Sequence, residues 1–150
     1  MDENIRLSLE VSFILNATEN EKNSIKQIGK FVGTNSFSKV DVDGYYGNRM
    51  HIITMSITES QTDATLGKIL KSISEKDMGI IMTSLSSSTD KDGNLHIRVD
   101  KQSILEGSIK LSQRDPLKIK IIPRLTKPIS IDWVKWYSQR LEDLRKQYRD

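Results

Sequence analysis

Tyr45 and Tyr46 stand side by side between Gly44 and Gly47, followed by Asn48 and Arg49. Two aromatic planes offer stacking surfaces to nucleic-acid bases, a contact worth about 1–3 kcal/mol per base. Asn48 adds hydrogen-bonding groups and Arg49 a phosphate donor. The two glycines open backbone conformations closed to other residues. A plainer reading stays open, in which the glycines make a turn and a tyrosine folds back onto the core. Further along, Arg98 and Lys101 can contact phosphates, and Gln102 a base edge or a sugar. The competing reading there has Asp100 capping a short helix while Lys101 faces solvent. Lys118 and Lys120 alternate with Leu117, Ile119 and Ile121, so both lysines project from one face of a strand, and Lys110 lies between Ile109 and Leu111. The candidate nucleic-acid-contacting set is therefore Tyr45, Tyr46, Asn48, Arg49, Arg98, Lys101, Gln102, Lys110, Lys118 and Lys120.

Other chemistry finds less support. Cysteine is absent, which excludes thiol catalysis, disulfides and iron–sulfur ligation. There are two histidines, His51 and His96, each within a strand pattern and neither near an obvious nucleophile or second ligand in sequence. No phosphate-cradling loop, nucleophile elbow or H-E-x-x-H pair occurs. Asp41 and Asp43 share a strand face and can in principle hold magnesium or act as acid and base, although solvated strand carboxylates are commoner. Asp90, Asp92, Gly93 and Asn94 lack the spacing of a calcium loop and read as a turn. The expectation is a non-enzyme with no cofactor and no metal.

Charge points the same way as the candidate residues. Residues 1–50 carry six basic and seven acidic side chains and residues 51–100 carry five and seven, whereas residues 101–150 carry twelve and six. A basic final third in a chain of net +3 suggests a surface for a polyanion, or else a strand and helix that cations merely solubilise. The acidic start lacks the basic-then-apolar order of a signal peptide. No apolar run approaches the roughly 20 residues of a membrane span, so the chain is expected to be cytoplasmic and free of membrane.

These residues must be positioned by elements that the pattern itself supplies. Ile5, Leu7, Leu9, Val11, Phe13 and Leu15 alternate along a long first strand. Thr18 with Glu21 reads as a capping box opening a helix over 18–33, ended by Gly33. Strands are expected over 38–43 and 50–58, joined by the tyrosine-bearing tip, and a helix over 62–73. Ser74 with Asp77 opens another helix, burying Met78, Ile81, Met82 and Leu85. A strand over 95–100, a helical turn over 103–106, strands over 109–111 and 117–122, and a break marked by Pro123 and Pro128 follow. The last helix, 131–148, carries a stripe of Trp133, Tyr137, Leu141, Leu144 and Tyr148, with Trp136 nearby. That stripe either packs on its own domain or presents an anchor to a partner. The fold class is α+β, an antiparallel or mixed sheet covered by helices, plus a C-terminal amphipathic helix.

Three segments in order also carry a resemblance: Asn16-Ala17-Thr18-Glu19 after the first strand, Gly44-Tyr45-Tyr46-Gly47-Asn48, and the run from Asp92 to Gln102 with Gly107 and Leu111 beyond it. Over about residues 5–124 the chain resembles an archaeal family of predicted RNA-binding proteins whose genes commonly neighbour those of the RNA-degrading exosome. The resemblance implies a fold like the large-subunit ribosomal protein that holds 5S ribosomal RNA, and RNA binding accessory to RNA processing or decay. The family pattern often has His where Asn16 stands, His-Tyr where Tyr45-Tyr46 stands, and Pro where Arg49 stands, so a histidine catalyst is not expected here. The domain reading is 1–126 for the RNA-binding unit and 127–150 for a helical extension. Expected partners are RNA, exosome or other RNA-processing proteins, and a second copy in a homodimer. The alternative is a protein-interaction module docking on a processing complex through the C-terminal helix. A magnesium hydrolase built on Asp41 and Asp43 ranks last.

Overall fold

The alternating first strand forms as the pattern requires. In the computed structural model, which describes residues 4–16, 20–43 and 49–147, β1 (Ile5–Asn16) buries Ile5, Leu7, Leu9, Val11, Phe13 and Leu15 on one side. Helix α1 (Glu21–Val32) starts later than its expected cap. Thr18 lies outside the described residues, and the observed N-cap is Asn20, whose side-chain oxygen accepts from the Asn23 amide at 3.0 Å. Gly33 ends the helix at φ 79°, a left-handed conformation that glycine adopts without a Cβ penalty.

Strands β2 (Ser38–Asp43) and β3 (Arg49–Ile57) follow, then α2 (Glu59–Lys71). The expected single helix after Ser74 is two: α3 (Glu75–Thr83) and α4 (Leu85–Ser88). Ser74 caps the first, accepting from the Asp77 amide as anticipated. The break has a local cause. The Thr83 and Ser84 hydroxyls both bond back to carbonyls in the preceding turn, Ser84 to Ile80 at 2.7 Å, which weakens and bends a helix.

The second half contributes β4 (Leu95–Asp100), α5 (Lys101–Leu105), β5 (Pro116–Leu125) and α6 (Trp133–Gln147). Residues 109–111 do not form the expected strand. They make single bridges, Ile73 with Ile109 and Val99 with Leu111, because the Leu111 amide is taken by the Asp77 carboxylate rather than by a ladder partner. Pro123 does not end β5 either. It pairs with Leu7 beyond the last β4 partner, Ile121, where only one neighbouring strand must be satisfied.

The described strands make one antiparallel sheet in the order β2-β3-β1-β5-β4. The α+β expectation holds, and the sheet is wholly antiparallel. The described helices lie on one face. Ile28 and Val32 of α1, Leu66, Ile69 and Leu70 of α2, Met78 and Ile81 of α3, and Tyr137, Leu141 and Leu144 of α6 join the inward residues of β1, β3, β4 and β5 in one core. On the opposite face, none of the described residues of β1, β4 and β5 is buried.

Candidate nucleic-acid interface

Because residues directly opposite in an antiparallel pair share a face, the register lays out the uncovered side row by row. One row runs His96, Lys120, Glu10, Ser56 across β4, β5, β1 and β3. The next runs Arg98, Lys118, Ser12, Thr54 and, on β2, Ser38. Arg98 and Lys118 are thus directly opposite one another, as are His96 and Lys120. The cations Arg98 and Lys118, so placed, repel across a strand spacing of about 4.8 Å and destabilise the sheet. Glu10, beside Lys120, offsets part of this repulsion. Toward the other end the face turns apolar, with Ile14, Ile52 and Val40 in one row and Met50 and Val42 in the next; Val40 is 56% exposed.

A groove of about 450 Å³ adjoins the cationic rows, between α3, α4 and the outer edge of β4. Its polar lining includes Ser87, Ser88, Thr89, Asp90, His96 and Gln113. The Thr89 hydroxyl is the buried side-chain oxygen without a hydrogen-bond partner among the described residues. His96 Nε2–H donates to Asp90 at 3.0 Å. The His96 bond first, then the Asn94 backbone and side-chain amides and the Asp92 amide, hold Asp90 well below the usual carboxylate range. Asp90 is therefore a fixed anion that aims the imidazole. His51 has a similar partner, Asp41, at 2.6 Å on the helix-facing side. Both aspartates stood out in the sequence, but neither pairing did, because each meets its histidine only across a turn or a strand pair.

The structure brings together part of the expected set. Arg98, Lys118 and Lys120 share the open face, and Arg98 donates to Gln113 at the rim of the groove. Lys110 and Gln102 are exposed, on the segments that follow β4. Arg49 faces the other way. It is opposite Asp43 and in line with His51 and Ile53, on the helix side of β3. Tyr45, Tyr46 and Asn48 lie outside the described residues.

Lys101 departs most from expectation: neither solvent nor a phosphate can reach its ammonium, which is completely buried. Nζ donates to the Ile14 carbonyl at 2.6 Å and pairs with Asp115 at 3.0 Å. The reason is topological. β5 leaves β1 after Ser12, so the β1 backbone beyond it lacks strand partners on that side, and Lys101 supplies a donor there.

The basic final third is also less available than its composition suggests. At least five of its cations bind carboxylates of this chain: Lys101 to Asp115, Arg124 to Glu59, Arg140 to Asp63, Arg145 to Glu75 and Lys146 to Glu142. Arg145 also donates to the Leu70 and Ile73 carbonyls. These contacts clamp α6 onto α2. Its aromatic stripe turns inward, with Tyr137 buried and its hydroxyl donating to the Gly93 carbonyl. Burial, and then the nearby Asp90 charge, push that hydroxyl well above the usual tyrosine range. Tyr148 and Arg149 lie outside the described residues.

Comparison with known proteins adds independent findings. A family model described as RNA binding matches residues 8–124. No curated protein matches the chain significantly. Among solved structures, a DUF54 protein from Archaeoglobus fulgidus superposes with a TM-score of 0.74 at 24% identity, covering 91% of this chain and 99% of that one. A DUF54 protein from Sulfolobus solfataricus gives 0.71 at 19% identity, with 93% and 98% covered. One from Methanothermobacter thermautotrophicus gives 0.67 at 18%, with 95% and 97% covered. At these identities the likeness is one of fold.

Proposed function

Since the chain belongs to the family described as RNA binding, we propose that it is a non-catalytic RNA-binding protein whose uncovered sheet face receives the nucleic acid. One observation carries the reading: Arg98 and Lys118 sit directly opposite each other on that face, flanked by Lys120 and His96. Such cross-strand repulsion weakens the free protein and is relieved by a polyanion. Successive outward positions on β5 are about 6.8 Å apart, so Lys118 and Lys120 present a linear pair of phosphate donors. Lys110 adds a fourth cation near the end of β4. The adjoining polar groove, with the Thr89 hydroxyl and Gln113, suits sugar and base-edge contacts; Gln102 enters the proposal on residue type alone. The aliphatic rows of Ile14, Ile52 and Val40 suit the apolar faces of bases. Tyr45, Tyr46 and Asn48 enter the proposal on residue type alone, as stacking and hydrogen-bonding groups; Arg49, on the helix side of β3, is left out of this face.

Charge reversal of the triplet tests this. Arg98→Glu, Lys118→Glu and Lys120→Glu together should weaken binding to a single-stranded RNA oligonucleotide by at least about tenfold; the reversed charges still repel across the strands and position 120 then faces Glu10 with like charge, so a modest loss of thermal stability is expected. Unchanged affinity would overturn the assignment of this face.

We include in the proposal a place beside RNA processing or exosome-mediated decay, a fold kinship with the ribosomal protein that holds 5S RNA, and the division into 1–126 and 127–150. The support for these is the sequence resemblance. Copurification of exosome subunits that disappears on nuclease treatment is the expected sign of a link made through RNA. Docking through the aromatic stripe of α6 has weaker grounds, because that stripe faces its own core.

A further inference from the structure

We infer a second single-stranded RNA site, on α1, distinct from the sheet face. It rests on the RNA-binding reading and concerns residues that reading does not use. Lys22, Lys26 and Lys30 recur every four residues on α1 and are exposed. At 1.5 Å rise per residue they form a row at about 6 Å steps along one helix face. Like charges at this spacing destabilise a helix, and no ion pair joins any of the three to a carboxylate among the described residues. Among the described residues the acid at the start of α1, Glu21, is already matched: Lys39 pairs with it at 2.7 Å and holds its carboxyl below the usual range.

Beside the lysine row runs a groove of about 550 Å³, walled by Ile25 and Phe37 and floored by Met55 and Gly29. Phe37 is 46% exposed, a large aromatic ring left open to solvent at the mouth of an apolar groove. A Cβ on Gly29 would come within 2.7 Å of the Thr34 carbonyl, so glycine is what lets the 34–37 segment approach α1 and set Phe37 opposite the lysines. Thr34 and Asn35 put polar groups at the rim.

The ligand that matches is one with repeated negative charge at near-constant spacing and a flat apolar unit between charges. An unpaired RNA strand has both: phosphates for the lysine row and a base for the Phe37 ring. A duplex does not, since its bases are stacked inside and unavailable to the groove.

The test uses the full chain, a fluorescent single-stranded RNA oligonucleotide, and affinity measured over a range of salt. Replacing Lys22, Lys26 and Lys30 by Ala should make the slope of log affinity against log salt shallower by about 2, from roughly 0.7 per phosphate contact. Phe37→Leu keeps the apolar volume and removes the stacking plane. It should weaken binding by at least about 5-fold, the lower end of what one base stack provides, with an unchanged melting temperature. Equal affinity for a duplex of the same sequence would contradict the inference. So would α1 variants that bind as wild type while the Arg98, Lys118 and Lys120 variant does not; that pattern leaves the sheet face standing alone. An acidic, aromatic-containing peptide captured through Lys22, Lys26 and Lys30, with RNA affinity unmoved, would also overturn it. Absence of RNA binding by the wild-type chain would overturn both sites together.

Discussion

Replacing Lys101 by Met separates a structural lysine from a binding one. The substitution keeps most of the buried stem and removes the ammonium. At least two contacts go with it. The charge-assisted bond to the Ile14 carbonyl at 2.6 Å falls in the class worth about 1.5–3 kcal/mol. The pair with Asp115 adds less than the about 3–5 kcal/mol typical of breaking a fully buried pair, because the Asp115 side chain is 47% exposed and can rehydrate. Lys101→Met should therefore destabilise by about 2–3 kcal/mol. Lys101→Ala also removes about three buried methylenes at about 0.8 kcal/mol each, for a total of about 4–5 kcal/mol. Urea unfolding followed by far-ultraviolet circular dichroism measures both, with the midpoint moving and the slope constant. In the same preparations the folded Lys101→Met protein should keep the wild-type salt dependence of RNA affinity. A variant that is stable within about 0.5 kcal/mol of wild type but has a shallower salt slope would refute the structural role and restore Lys101 to the interface.

Other consequences are accessible to similar measurements. Gly93 sits at φ 86° with Trp133 against it, so Gly93→Ala combines a strained backbone with overlap on the indole and should cost about 2–4 kcal/mol in urea unfolding. Tyr137→Phe leaves the buried Gly93 carbonyl without its donor and should lower stability by about 1–2 kcal/mol. It should also flatten the alkaline limb. The native hydroxyl ionises later than the unfolded one, so stability falls as pH rises past the unfolded tyrosine pKa. Asp90 has the opposite sign. Its native carboxyl is depressed, so its contribution is present above the ordinary carboxylate range and is lost as pH falls below it. Asp90→Asn should be less stable at neutral pH and less sensitive to acid.

The strands were legible because their signal is local. Alternation in Ile5–Leu15 and in Leu117–Ile121 fixes which residues face inward, and the same alternation put Lys118 and Lys120 on one outer face. That Arg98 joins them depends on strand register, which only the β4–β5 pairing reveals. Lys101 was misjudged because its environment is set by residues far away in sequence, Ile14 and Asp115. A lysine after a strand looks solvated until the end of a neighbouring ladder is known. The same limit hid the histidine–aspartate pairs and the internal matching of Arg140 and Arg145. Counting cations in a segment measures charge, but it does not measure how much of that charge is still free to meet a partner. The break at Ser84 had a readable cause, the adjacent hydroxyl residues Thr83 and Ser84 in the last turn, yet the apolar periodicity through Leu85 outweighed it.

The most direct measurement of the central claim is the salt dependence of affinity for a single-stranded RNA oligonucleotide, compared between wild type and the Arg98→Ala, Lys118→Ala, Lys120→Ala variant. Losing three phosphate contacts should make the slope shallower by about 2 at equal folded stability. A slope that does not change, with affinity retained, would contradict the assignment of RNA to the uncovered sheet face.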